Sequence, residues 1–294
     1  MNVAGAKTAG QALAIALSQG AQRLSDIPGI DHAREARLLL AHAADLPHDR
    51  LHDLALDDFT PDLMDRYSAL LARRAARAPM SHILGRRMFW GRNFAVTPDV
   101  LDPRPETETL IEAALSVPYR KVLDLGVGSG AILLTLLIEN ALAKGLGTDV
   151  SGAAIAVAQR NADALDVGAR ARFRTTHWFD GIEERFDLIV SNPPYIAAEE
   201  MAGLAPELAH EPRIALTDEA DGLSAYREVV SGAPAHLEEG GRLMVEIGAA
   251  QGHAVAQLFT DAGFRGTRIL RDMDGRDRVV TGRMRPIHRP FPKD

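Results

Sequence analysis

The stretch Val122-Leu123-Asp124-Leu125-Gly126-Val127-Gly128-Ser129-Gly130-Ala131 decides how the chain folds. A short, mostly apolar run leads into three glycines at alternate positions, and an apolar helical pattern, Ala131–Asn140, follows at once. Glycine allows a turn this sharp, and the helix start beyond it leaves N–H groups free to meet a ligand. Strand, glycine turn and helix in that order predict the first βα unit of an open, mostly parallel sheet.

The same alternation continues outward. Strands are expected over Leu146–Val150, Phe186–Ser191, Arg242–Ile247, Arg268–Arg271 and Arg278–Thr281. Helices are expected over Ala153–Ala164, Leu223–Leu237 and Ala254–Ala262. Upstream, a helix runs from Glu106 to Leu115, and Phe89-Trp90-Gly91-Arg92-Asn93-Phe94-Ala95-Val96 has the composition of a short β-hairpin. Before Met88 no segment reads as a strand. Leu13 and Leu17, then Leu38, Leu39 and Leu40, then Leu63, Leu70 and Leu71 ahead of Arg73, Arg74 and Arg77 mark amphipathic helices. The expected fold is α/β. A Rossmann-like, doubly wound, mostly parallel domain spans 103–285, preceded by a helical bundle over 1–85 and a hairpin linker over 86–102. A Pro-rich tail, 286–294, is expected to fray.

Composition narrows the function classes. There are 33 Lys and Arg against 40 Asp and Glu, a net charge of −7. That balance argues against a partner held by bulk phosphate neutralisation and leaves only a local basic groove open. The absence of cysteine excludes disulfides and thiolate metal sites and fits a reducing, cytoplasmic setting. The 10 histidines are scattered without ligand spacing, so no metal is expected. No apolar run is long enough to span a membrane. Ala12–Leu17, bracketed by Gln11 and Gln19 with no cleavage signature, reads as a helix and not a secretory signal.

Asp149 ends the second strand, 23 positions after Gly126. A carboxylate there accepts hydrogen bonds from ribose hydroxyls, so loop and acid together point to an adenosine-containing cofactor. Two classes compete. Gly126, Gly128 and Ala131 satisfy the dinucleotide pattern of a nicotinamide dehydrogenase. The spacing of Asp124, Gly126, Gly128 and Gly130 resembles the first motif of Rossmann-like S-adenosylmethionine-dependent methyltransferases.

The run Ser191-Asn192-Pro193-Pro194-Tyr195 separates them. Two fixed proline φ angles, and the restriction each imposes on the residue before it, stiffen a loop at the carboxyl end of a central strand. Ligands bind there in such sheets. An amide or exocyclic amine is a poor nucleophile because its lone pair is delocalised. The side-chain oxygen of Asn192 and the carbonyl of Pro193 can both accept from one NH₂ group, orienting it and favouring the charge that develops. Tyr195 offers a face for a planar group. The set suits N-methylation of a planar nitrogen.

Over almost its whole length the chain resembles the family of peptide-chain release factor glutamine N5-methyltransferases. The resemblance rests on the helical N-terminal domain, the hairpin at Phe89–Phe94, Pro103-Arg104-Pro105-Glu106-Thr107-Glu108, and the Gly126–Gly130 loop. It continues through Trp178-Phe179, Ser191–Tyr195 and Gly275-Arg276-Asp277-Arg278. It implies methylation of the glutamine of the Gly-Gly-Gln motif in class 1 release factors, with S-adenosyl-L-methionine as cofactor and the helical domain recognising the substrate. It also implies that Gly126, Val127, Gly128, Ser129, Gly130, Asp149, Trp178 and Asn192 hold the cofactor. Asn192, Pro193, Pro194 and Tyr195 would hold the glutamine, with Asn192, Pro193 and Tyr195 carrying the catalytic work. Val127 stands where the family more often has Thr, and Asp102 where an aliphatic residue is common.

Arg104 has two readings, a partner for a cofactor carboxylate or for a substrate carbonyl. Asp124 also has two, the methionine end of the cofactor or a cap on the next turn. The rival functions are an amino-methyltransferase of DNA or RNA bases, a glutamine methyltransferase of a ribosomal protein, and a silent cofactor-binding partner of translation. The first lacks a target-recognition domain or a dense basic stripe; Arg73, Arg74, Arg77, Arg86 and Arg87 come nearest to one.

Overall fold

A computed structural model describes residue 3 and residues 5–284. The chain divides into two compact units, Met1–Gly85 with Ala205–His210, and Arg86–Leu204 with the chain from Glu211 onward.

The first unit holds α1 (Ala9–Arg23), α2 (His32–Ala43), α3 (Pro61–Ala75) and α4 (Met80–Leu84). Each of the three long helices starts at a side-chain cap. Thr8 accepts from the Gln11 amide, Asp31 from Arg34, and Thr60 from Leu63, with Pro61 in the first helical position. Their apolar stripes close over Ala12, Ala16, Leu39, Leu40, Leu63, Tyr67 and Leu71. Arg74 is buried in this unit, 2.7 Å from Glu35 and 3.1 Å from Glu207, and Arg77 takes the other oxygen of Glu207 at 2.7 Å. A buried guanidinium is tolerable only when paired on this scale. Arg74 and Arg77 are therefore committed to internal pairs and do not belong to a basic surface.

The second unit opens with the hairpin β1 (Arg86–Phe89) and β2 (Arg92–Ala95), then α5 (Glu108–Leu115). There follow β3 (Lys121–Leu125), α6 (Ala131–Glu139), β4 (Lys144–Asp149), α7 (Gly152–Ala164), β5 (Ala171–Thr175) and β6 (Phe186–Ser191). The chain ends in α8 (Ser224–His236), β7 (Leu237–Glu246), α9 (Gly252–Asp261), β8 (Arg265–Arg271) and β9 (Asp277–Arg283). Seven strands form one sheet in the order β5-β4-β3-β6-β7-β9-β8, with β9 antiparallel to both neighbours and the other pairings parallel.

Alternation along the strands sorts side chains to two cores. Val122, Leu188, Val190 and Met244 pack with α5, α6 and α7 on one face. Leu123, Leu125, Ile189, Leu243 and Val245 pack with α8 and α9 on the other. The expected doubly wound sheet is present. Two elements differ from expectation. β5 was not anticipated, and the hairpin begins at Arg86, turning at Trp90-Gly91, where φ is +48° and +70°. Among the described residues no helix is long and apolar enough to cross a membrane. The tail, 286–294, lies outside the described residues.

Candidate functional site

The glycine loop leaves β3 with φ of +73° at Gly126, +53° at Gly128 and +84° at Gly130. A Cβ at Gly130 would come within 2.9 Å of the Leu134 side chain, so the entry into α6 requires glycine on two counts. The amides of Gly126 and Val127 both donate to the Thr148 carbonyl at 2.8 Å, which ties the loop to β4. Asp149, at the end of β4, accepts from the Gly128 amide at 3.0 Å and from the Ser151 amide at 2.9 Å. Each carboxylate oxygen keeps acceptor capacity for a ligand hydroxyl. Burial raises this carboxyl above its ordinary value, and the amide bonds oppose that shift. Asn161 of α7 holds the loop from behind, donating to the Ser129 carbonyl at 2.8 Å and exchanging two hydrogen bonds with Ala95 at 2.7 and 3.0 Å.

β6 ends where the Ser191 hydroxyl donates to the Leu125 carbonyl at 2.7 Å. Beyond it the Asn192 carboxamide has no hydrogen-bond partner among the described residues. The Tyr195 carbonyl accepts from Gln251 Nε2 at 2.9 Å. The same amide donates to the Gly222 carbonyl at 3.1 Å, and its oxygen accepts from the Gly248 amide at 3.0 Å and the Tyr226 hydroxyl at 3.3 Å. Gln251 is thus fully engaged in clamping the proline loop. Gly222, at φ +75°, comes so close that a Cβ would lie 2.5 Å from the Tyr195 carbonyl oxygen. Burial pushes the Tyr195 hydroxyl up to about 12, so it stays protonated at neutral pH.

A cavity of about 510 Å³ gathers these parts. Gly126, Val127, Gly128, Ser129, Asp149, Trp178, Asn192 and Pro194 all line it. Gly130, Pro193 and Tyr195 do not; Pro193 is buried and Tyr195 packs against the core under α8 and α9. Trp178 stands over the start of the loop, its ring 4.0 Å from where a Cβ on Gly126 would be. Arg104 reaches the wall paired to Glu211 at 2.5 Å, and Glu211 also accepts from the Asp102 amide at 3.3 Å. Asp124 stays outside the lining. It is fully buried, accepts from the Leu133 amide at 3.1 Å, and braces the first turns of α6; burial pushes its carboxyl up to about 8.

Four residues shape the site without belonging to any of its sequence motifs. Gln251, Asn161 and Glu211 reach site residues 56, 66 and 109 positions away, with no local motif. Asp218 was legible in principle. It accepts from the amides of Ala220, Gly222 and Ser224, a side-chain-to-backbone pattern that often precedes a helix.

Residues 16–85 match the family model described as PrmC N-terminal domain, and residues 101–220 match the Methyltransferase small domain. The release factor glutamine methyltransferase of Cereibacter sphaeroides is 56% identical over 258 residues, covering 87% of this chain and 93% of the relative. The chain belongs to the release factor glutamine methyltransferase family. The Caulobacter vibrioides member is 43% identical over 275 residues, covering 91% of this chain and 95% of the relative. Membership removes the dehydrogenase reading. A Thermus thermophilus 16S rRNA N2 methyltransferase, solved with S-adenosylmethionine (AdoMet) and guanosine, shares the fold at 21% identity with a TM-score of 0.50. That match covers 68% of this chain and 50% of that one.

Proposed function

We propose that this protein transfers a methyl group from S-adenosyl-L-methionine to the side-chain amide nitrogen of the glutamine in the Gly-Gly-Gln motif of class 1 peptide chain release factors. The observation that carries the reading is the Asn192 carboxamide, unengaged by any described residue, in the wall of the cavity that also presents Asp149 and Trp178. The residues fit the cofactor. Asp149 offers acceptors for ribose hydroxyls, Trp178 an aromatic face for adenine, and the glycine loop a wall with little side-chain bulk. When bound, S-adenosylmethionine supplies a methyl group on a positively charged sulfur.

The chain's own part is orientation. Asn192 Oδ1 and the Pro193 carbonyl accept from the glutamine NH₂, aim its nitrogen, and favour the positive charge that grows on it. Pro194 and Tyr195 frame the plane of the amide. No strong base is required, because the nitrogen's proton becomes acidic once the new N–C bond forms. The helical unit recognises the release factor, a cytoplasmic partner. Incubation with labelled S-adenosylmethionine and a release factor, against the same factor with its motif glutamine replaced by alanine, tests the reading. Label on the first alone supports it. Equal labelling of the alanine factor, or label only on ribosomal protein or nucleic acid, overturns it.

A further inference from the structure

Three strands meet at a row of arginines. Arg242 on β7 stands directly opposite Arg283 on β9, and Arg283 stands opposite Arg265 on β8. Arg268 pairs with Thr281, two positions along β9 from Arg283. Opposed residues project to the same face, as do residues two apart on one strand, so all four arginines share a face. The register shift between Arg265 and Arg268, at Gly266 with φ +62°, is what allows both to do so. Met244 and Val279 of the same face enter the core under α5 to α7. The row lies beyond them, away from the strand carboxyl ends that carry the cavity.

Like charges directly opposite one another across a sheet are destabilising. Among the described residues none of the four has a carboxylate partner, and the hydrogen bond recorded for them is Arg283 Nε to the Gly240 carbonyl at 2.9 Å. Arg265, Arg268 and Arg283 are exposed and Arg242 is half-buried. Burial, and then the charges of Arg283 and Arg268, hold the Arg242 guanidinium below its ordinary value. Among the described residues the exposed large hydrophobic side chains, Leu56, Met88, Leu142, Val150, Ile214 and Met273, all lie off the row. A protein interface combines its arginines with apolar and aromatic anchors, whereas the phosphates of a nucleic acid backbone are met by guanidinium forks without them.

We propose that Arg242, Arg265, Arg268 and Arg283 form a binding face for the phosphate backbone of a nucleic acid, separate from the catalytic cavity. The face reads charge and carries no base recognition, so RNA and DNA of equal length bind alike.

The test is fluorescence anisotropy of the full-length protein with a labelled 20-nucleotide oligouridine between 50 and 200 mM salt. Binding should weaken with salt with a log–log slope of about −2 to −3, the release expected from three or four phosphates of a single strand. Arg265→Gln/Arg268→Gln should reduce that slope by about 1.4 and weaken low-salt binding about tenfold. Methyl transfer to isolated release factor should not change. The thermal midpoint should rise, because repulsion between opposed charges is relieved; a merely structural pair of arginines would lower it. Arg242→Gln gives an independent reading of the same face, and Arg160→Gln, exposed on α7, should bind like wild type. Absence of binding at 50 mM salt, or unchanged binding by both row variants, overturns the proposal. Displacement of the oligouridine by poly-glutamate at equal charge also overturns it, in favour of an acidic polypeptide partner.

Discussion

The Gly128 amide donates to Asp149 Oδ2 at 3.0 Å, so the acid that would read the ribose also fixes the loop that would wrap the cofactor. Asp149→Ala removes both functions. Cofactor binding should weaken by about 1.5–3 kcal/mol, roughly ten- to over a hundredfold, with Asp149→Asn in between because it still accepts one hydrogen bond. Calorimetric titration with S-adenosylmethionine checks this. Unchanged affinity would take Asp149 out of the site.

Asn192→Ala should lower the single-turnover rate by about a hundred- to a thousandfold, the scale for one preorganised polar group. Cofactor affinity should fall far less. Asn192→Asp keeps an acceptor but places a charge beside the sulfonium, which stabilises the ground state and still slows turnover. A wild-type rate for Asn192→Ala would end the proposed chemistry.

The clamp on the proline loop yields a prediction that the Asn-Pro-Pro-Tyr motif alone does not. Gln251→Ala leaves the Tyr195 carbonyl and three other polar groups without their shared partner and should cost about 1–3 kcal/mol of stability. The same loosening should appear as a lower kcat with little change in cofactor Kd. Gly222→Ala, which forces a Cβ against the Tyr195 carbonyl, should produce the same pattern. Thermal unfolding and single-turnover rates measured on both variants decide it. A full wild-type rate for Gln251→Ala would show that loop rigidity is irrelevant.

The legible parts of this fold are those where burial and backbone geometry leave a local trace. β3 and β6 are largely buried and read as mostly apolar runs, each interrupted by one aspartate, and the glycine loop declares itself by spacing. β5 escaped because it is an edge strand, where Arg172 and Arg174 break the apolar pattern. The hairpin is legible from Phe89 onward within the 86–102 linker, and only its opening residues, Arg86 and Arg87, carry no strand signal. At the site, the motif residues were legible and their supports were not. Gln251 reaches the loop across 56 positions, and nothing near it in the chain marks it as a clamp. The arginine row is likewise invisible as a stripe, because its members sit on three separate strands.

Two buried carboxyls set a pH dependence. Burial pushes Asp124 up to about 8 and Glu246 up to about 7, each from the ordinary carboxyl range near 4. Folded protein therefore binds these protons more tightly than unfolded chain, so stability is greatest below the unfolded pKa and falls as pH climbs through about 7 to 8. Asp124→Asn keeps an acceptor for the Leu133 amide and removes the titration. It should flatten the stability profile between pH 5 and 8 and raise the thermal midpoint at pH 8. A profile as steep as wild type would show that Asp124 is not the group responsible.

The pairing of Arg74 and Arg77 with Glu207 also has a consequence for synthesis. Arg74 on α3 and Arg77 just beyond its end are made early, yet the carboxylate that completes their pairing lies 133 and 130 positions further along. At about 5–20 residues per second, a growing chain waits roughly 7 to 27 s for it. During that interval Arg74 has only Glu35 to meet its charge, so one buried ion pair of the helical unit is missing. That pair is completed only by a segment translated after the Asn-Pro-Pro-Tyr loop.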